Sequence, residues 1–158
     1  MGLDMYLKAE RYVGGWNHSE PGEKETFNKL LKALGAVSCP DAPGMEISLN
    51  CVYWRKANAI HAWFVRECAA GVDECQNIEV SREQLNKLVE TCKMAVEAFK
   101  KKDKEAVMKL LPPQSGFFFG STDIDQYYRH DLEHTIHAVQ DALAQYRKDW
   151  SFVYRASW

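Results

Sequence analysis

The side chains best equipped for chemistry crowd into Tyr53-Trp54-Arg55-Lys56-Ala57-Asn58-Ala59-Ile60-His61-Ala62-Trp63-Phe64-Val65. Arg55 and Lys56 would neutralise an anion, the guanidinium offering paired donors, and the indoles of Trp54 and Trp63 could stack on a planar group or a cation. Asn58 adds an amide, and His61 a group that exchanges protons near neutral pH. Read as a helix at roughly 100° per residue, the run aligns Trp54, Asn58, His61 and Val65 along one stripe. This stripe borders a core stripe of Ala57, Ile60, Phe64 and Cys68. Lys56 and Trp63 then share an exposed flank. Three readings stay open: a site for a phosphate-bearing ligand, a hot spot for a partner protein, or a thick core edged by snorkelling basic residues.

A second unusual segment is Gln114-Ser115-Gly116-Phe117-Phe118-Phe119-Gly120-Ser121-Thr122-Asp123. Its three phenylalanines between glycines suit a short buried strand or hairpin arm. Ser121 or Thr122 can cap a following helix, Thr122 with Asp125 matching the capping spacing. The free amides of such a turn also suit an anion, although Asp123 opposes one, and Tyr127 stands one turn on, able to stack on a base. If this turn lies beside Arg55, Lys56, Asn58 and His61, the two form one pocket.

Other candidates are weaker. His130, His134 and His137 share a helical face at spacing compatible with a metal, but they oppose the apolar stripe Leu132, Ile136, Val139 and Leu143, so no metal or cofactor is expected. Lys100-Lys101-Lys102, with Lys93 and Lys104, could attract an anion but suits a solvated helix end. No nucleophile elbow, P-loop, zinc-protease or kinase pattern is present. The chain reads as a binding protein more than an enzyme, with no catalytic residue assigned; a hydrolase built on His61 and Asp123 is the weakest reading.

The elements that must position these groups follow from periodicity. Residues Gly2 to Val13 alternate as a strand, with Leu3, Met5 and Leu7 on one face. After a loop over 14–22, Glu23 to Val37 forms an amphipathic helix with Phe27, Leu30, Leu31 and Leu34 inward, ending near Gly35. The connector Ser38 to Gly44 leads into a strand, Met45 to Val52. A loop spans Cys68 to Glu79; Ser81 and Gln84 then form a capping box for a helix to about Lys101. Short helix 104–111, long helix 123–147 and a closing strand 150–158 complete the chain. The expected architecture is α+β: one domain over residues 1–158, with a small, mainly antiparallel sheet packed by several helices.

Composition sets the outer limits. Lys plus Arg, 20, nearly balances Asp plus Glu, 22, for a net charge of −2, which gives no overall pull toward nucleic acid. No apolar run approaches the roughly 20 residues of a membrane span. Five cysteines, an odd number without metal or redox spacing, fit reduced thiols in a cytoplasm. Cys51, Cys68 and Cys92 lie among apolar neighbours and read as core residues.

The start Gly2-Leu3-Asp4-Met5-Tyr6-Leu7, the Tyr53 to Phe64 run, Ser115 to Asp123 with Tyr127, and the terminal Trp together resemble a family of small proteins encoded by bacteriophages and prophages. The resemblance spans nearly the whole chain except about Ala70 to Asp103. It implies a protein of the host bacterial cytoplasm and supplies no catalytic residues. In that setting the leading expectation is a non-enzymatic accessory protein that binds and neutralises a host factor, such as a defence component, through the Trp54 to Trp63 flank. The alternative is sequestration of a small anionic ligand such as a nucleotide. Homo-oligomerisation is left open.

Overall fold

The computed structural model describes residues 2–37 and 43–158, so most of the expected connector Ser38 to Gly44, and Cys39 within it, lie outside the described residues. The elements run β1 (Asp4–Gly14), α1 (Glu23–Ala33), β2 (Gly44–Arg55), α2 (Asn58–Cys68), β3 (Ile78–Val80), α3 (Arg82–Lys100), α4 (Lys104–Leu110), α5 (Gln126–Gln145) and β4 (Ser151–Ser157). The fold is α+β, with a four-stranded antiparallel sheet in the order β2-β1-β4-β3. The first and last strands are therefore neighbours. Ile78, Glu79 and Val80 of β3 pair with Tyr154, Val153 and Phe152 of β4.

Two compact units are distinguished, Met1–Ala9 with Asn50–Trp158, and Glu10–Leu49. In the larger unit, alternation along β1 puts Met5, Leu7 and Ala9 wholly inside, together with Leu3 just before it, as a half-buried strand requires. The α3 helix packs along α5 and α4, while α2 lies against α3 and β3. Ser81 accepts from the Gln84 amide and receives the Gln84 side chain in return, the expected capping box. Below it Leu85, Leu88, Val89, Cys92 and Val96 are buried. Arg82 closes the far end of α5: its Nη atoms donate to the carbonyl oxygens of Leu143, Tyr146 and Arg147. Its guanidinium also lies 5.2 Å from the Phe152 ring centre. Orphan carbonyls at a helix C-terminus and a cation suit each other.

In the smaller unit, Phe27 is the one residue of α1 that is buried. Its ring covers Gly15, where an added Cβ would come within 2.9 Å of it. The Gly14 amide donates to Glu23. The inward stripe expected for α1 is narrower than its sequence suggests, since Leu34 is 74% exposed.

Four expectations from sequence are corrected. The Trp54 and Trp63 flank is not exposed: both indoles are buried, at 2% and 1%. The reason for Trp54 is that β2 continues through Arg55 and α2 begins only at Asn58, so strand alternation, not a helical wheel, buries Val52 and Trp54 while exposing Tyr53 and Arg55. Trp63 is buried because α2 is enclosed on nearly every side. The triple phenylalanine forms no strand; it turns, with the Phe119 amide donating to the Gly116 carbonyl, which buries Phe119 and leaves Phe117 95% exposed. The sheet's remaining strand is β3, which begins inside the segment Cys68 to Glu79 expected to be a loop. Neither Ser121 nor Thr122 caps α5: Asp125 does, accepting from the amides of Tyr127 and Tyr128.

Candidate functional site

The junction between β2 and α2 is two residues, Lys56 and Ala57, the first of them in a costly conformation. Lys56 has φ of 59°, a left-handed backbone that costs a non-glycine residue about 1–2 kcal/mol. It lets the chain turn sharply, with the Lys56 amide held by the Leu3 carbonyl at 2.8 Å. Two residues on, Asn58 is buried and its side-chain amide is fully committed. Nδ2 donates to the carbonyls of Phe119, at 3.1 Å, and Ser121, at 2.8 Å, and Oδ1 accepts from the Gln114 amide at 3.2 Å. One side chain thus clamps the 114–121 loop to the start of α2. The close approach at Gly120 has the same origin: its φ is +87°, and a Cβ there would stand 3.2 Å from Lys56 Cβ.

The clamp creates a cleft of about 290 Å³, lined on one side by Arg55, Lys56 and the first turn of α2, and on the other by Ser121, Asp123, Asp125, Tyr127 and Asp131. Its two sides differ in charge. Arg55 and Lys56 are exposed and stand at the N-terminus of α2, where the helix dipole adds to their positive potential. Opposite them are carboxylates. Asp125 is occupied in capping, and Ser121 Oγ donates to Asp123 at 2.8 Å. Asp131 is raised to about 6, chiefly because burial disfavours its charged form, against the lowering influence of His130 and His134. Tyr127 is 81% exposed at the rim, whereas Tyr128 is buried and donates to the Leu111 carbonyl at 2.7 Å.

Of the residues singled out from sequence, Arg55, Lys56, Asn58, Ser121 and Tyr127 are brought together around this cleft. Thr122 does not line it, and Trp54, Trp63 and His61 are interior. Trp54 Nε1 donates to Thr135 Oγ1 at 2.9 Å. His61 is 1% exposed, with Nδ1 2.8 Å from Tyr154 Oη and Nε2 3.0 Å from Asp73. Every polar group is satisfied if Tyr154 donates to Nδ1 and Nε2–H donates to Asp73. Burial first, and the Asp73 carboxylate next, push the Tyr154 phenol well above its ordinary value, which keeps it a donor. His61 therefore partners Asp73 and not Asp123, which removes the geometry assumed for a His61 and Asp123 hydrolase.

Asp73 and Asp131 are residues that sequence reading missed, and Asp125 it named only as the partner of Thr122. Asp125 carried a signal, since it precedes the first periodic residue of α5; Asp73, in an irregular loop, carried none. Among the described residues no group of His, Cys, Asp or Glu is arranged to hold a metal ion, and His134 instead lies 3.0 Å from the Tyr53 carbonyl. Cys51 and Cys68 are pushed to about 11, mainly by burial, so neither is a ready nucleophile at neutral pH. Among the described residues no helix is long and apolar enough to cross a membrane. Searches of family models, curated proteins and solved structures find no match to this chain.

Proposed function

We propose that the chain binds a small phosphate-bearing molecule of the nucleotide class in the cleft between the β2 to α2 junction and the start of α5. One observation supports this above others: Arg55 and Lys56, at a helix N-terminus, share a cleft with Asp123, Asp125 and the exposed Tyr127 ring. A nucleotide has the complementary distribution of groups. Its phosphate suits the cationic side, its hydroxyls and exocyclic amines are donors for carboxylates, and its base offers a face for Tyr127. The volume of about 290 Å³ is near the lower end of small-molecule sites. With His61 tied to the buried Tyr154 and the half-buried Asp73, the activity is sequestration without turnover, compatible with a phage accessory role.

Isothermal titration with nucleoside monophosphates, the matching nucleosides and inorganic phosphate tests this. A monophosphate should bind more tightly than either fragment, and Arg55→Ala should weaken it about tenfold or more, as expected for loss of a charge-assisted contact. Absence of binding across the panel, or indifference to Arg55→Ala, refutes the reading.

A second reading, capture of a host protein, is favoured by Phe117, 95% exposed on the loop that Asn58 clamps. It moves the contact surface away from the buried indoles. Retention of a host protein by the wild type and its loss in Phe117→Ser would support it; equal retention would reject it.

A further inference from the structure

A second cavity, of about 480 Å³, lies on the other side of the segment that leads into α5. Residues 123–127 form a wall between two spaces: Asp123, Asp125 and Tyr127 line the cleft described above, while Ile124 and Gln126 line this one. The floor is apolar, made of Phe99, Val107 and Ile124, and the rim is basic, with Lys102, Lys104 and Arg129.

Not all of these cations are equally available. Arg129 is engaged by Glu133 at 2.8 Å, and Lys100, also at the rim, by Glu97 at 2.8 Å. Lys102 and Lys104 have no ion pair among the described residues. Lys102 is held in a left-handed backbone, φ 59°, at the turn joining α3 to α4. Asp103, the lining's one carboxylate, accepts from the Ala106 amide as the cap of α4. A chain of net charge −2 thus concentrates positive charge around an apolar hollow. Basic residues edging solvent alone need no hollow, and an apolar cavity alone needs no cations; their coincidence selects for a ligand with both properties.

We propose that this cavity binds a free small amphiphilic anion, an aryl or short acyl body bearing one carboxylate, sulfonate or phosphate, with the body on Phe99, Val107 and Ile124 and the head at Lys102 and Lys104. This site is independent of the nucleotide cleft, so either proposal can fail without the other.

The test uses the full chain and two fluorescent probes, 8-anilinonaphthalene-1-sulfonate and its uncharged relative N-phenyl-1-naphthylamine. The wild type should bind the sulfonate at one saturable site, and more tightly than the neutral probe. The double variant Lys102→Glu, Lys104→Glu should bind it about tenfold more weakly, since like charge replaces opposite charge at the head, with its circular dichroism unchanged. Arg55→Glu, at the other cleft, should leave it unaltered, and Ile124→Ser should weaken both probes. Equal affinity for the two probes, full affinity in the Lys102, Lys104 variant, or loss confined to Arg55→Glu would each overturn the proposal.

Discussion

Asn58 Nδ2 donates to the Ser121 carbonyl oxygen at 2.8 Å, joining residues 63 positions apart in sequence. The bond is one of three made by a side chain that is 5% exposed, and it holds both walls of the cleft in place. Replacing Asn58 by Ala leaves the Phe119 and Ser121 carbonyls and the Gln114 amide without these partners. An unsatisfied buried group costs about 1–3 kcal/mol, so Asn58→Ala should lose about 2–3 kcal/mol after partial rescue by water. Urea denaturation measures the loss, and hydrogen exchange should accelerate at Gln114. An unchanged midpoint would mean that the loop holds its position without the clamp.

Lys56 separates backbone cost from ligand binding. Lys56→Gly relieves a left-handed residue worth about 1–2 kcal/mol and returns about 0.5–1 kcal/mol through glycine's greater freedom in the unfolded chain. Stability should therefore stay within about 1 kcal/mol of the wild type, while nucleotide affinity falls with the lost ammonium. Gly120→Ala does the opposite to the fold, placing a Cβ on a φ of +87° and 3.2 Å from Lys56 Cβ; it should destabilise by at least about 1 kcal/mol. Thermal melts of the two variants give the comparison. A large destabilisation by Lys56→Gly would show that the Lys56 stem is itself structural.

Arg82 joins the start of α3 to the end of α5. Arg82→Met keeps an unbranched aliphatic stem but removes the guanidinium over Phe152 and the donors to Leu143, Tyr146 and Arg147. Loss of charge-assisted bonds to the part-buried carbonyls of Leu143 and Tyr146 and the exposed one of Arg147 should cost about 2–3 kcal/mol, and Arg82→Lys should restore less than half, because a lysine cannot span three carbonyls with one planar fork. Chemical denaturation of both variants provides the check; full rescue by Lys would assign the effect to charge alone.

Much of this architecture was legible where the local signal has one period. The alternation of Leu3, Met5 and Leu7, the Ser81 and Gln84 pair and the Leu85 to Val96 stripe each express one element's own geometry. The errors arose where the period changes without a breaker. Nothing in Tyr53-Trp54-Arg55-Lys56 marks the end of a strand, because the break is a lysine in a glycine-like conformation. A wheel drawn backward through it gives Trp54 the wrong partners. The burial of Trp63 depends on elements that surround α2 on several sides, which its own amphipathicity does not encode. A three-residue strand such as Ile78–Val80 is too short to show alternation. It exists because β4 supplies a partner. The convergence of Arg55 and Lys56 with Ser121 and Tyr127 was legible only as a condition, since a long-range hydrogen bond from Asn58 fulfils it.

Asp131 should leave a pH signature. Its carboxyl stands at about 6 in the folded chain against an ordinary value of 3.8, mainly through burial. The folded state therefore binds this proton more tightly than the unfolded one. Its contribution to stability is fully present below about 3.8 and is lost as pH rises through about 6. At 1.36 kcal/mol per pKa unit the shift corresponds to about 3 kcal/mol, reduced to about 1–2 kcal/mol because the side chain is partly exposed and screened. Asp131→Asn removes this titration. The variant should gain on the wild type by about 1–2 kcal/mol between pH 4 and pH 7, read from denaturant midpoints across that range. The gain should saturate above pH 7, where the wild-type carboxylate is fully charged. A difference between the two proteins that stays constant from pH 4 to pH 7 would show that Asp131 titrates normally, and the cleft would then present full negative charge opposite Arg55 throughout that range.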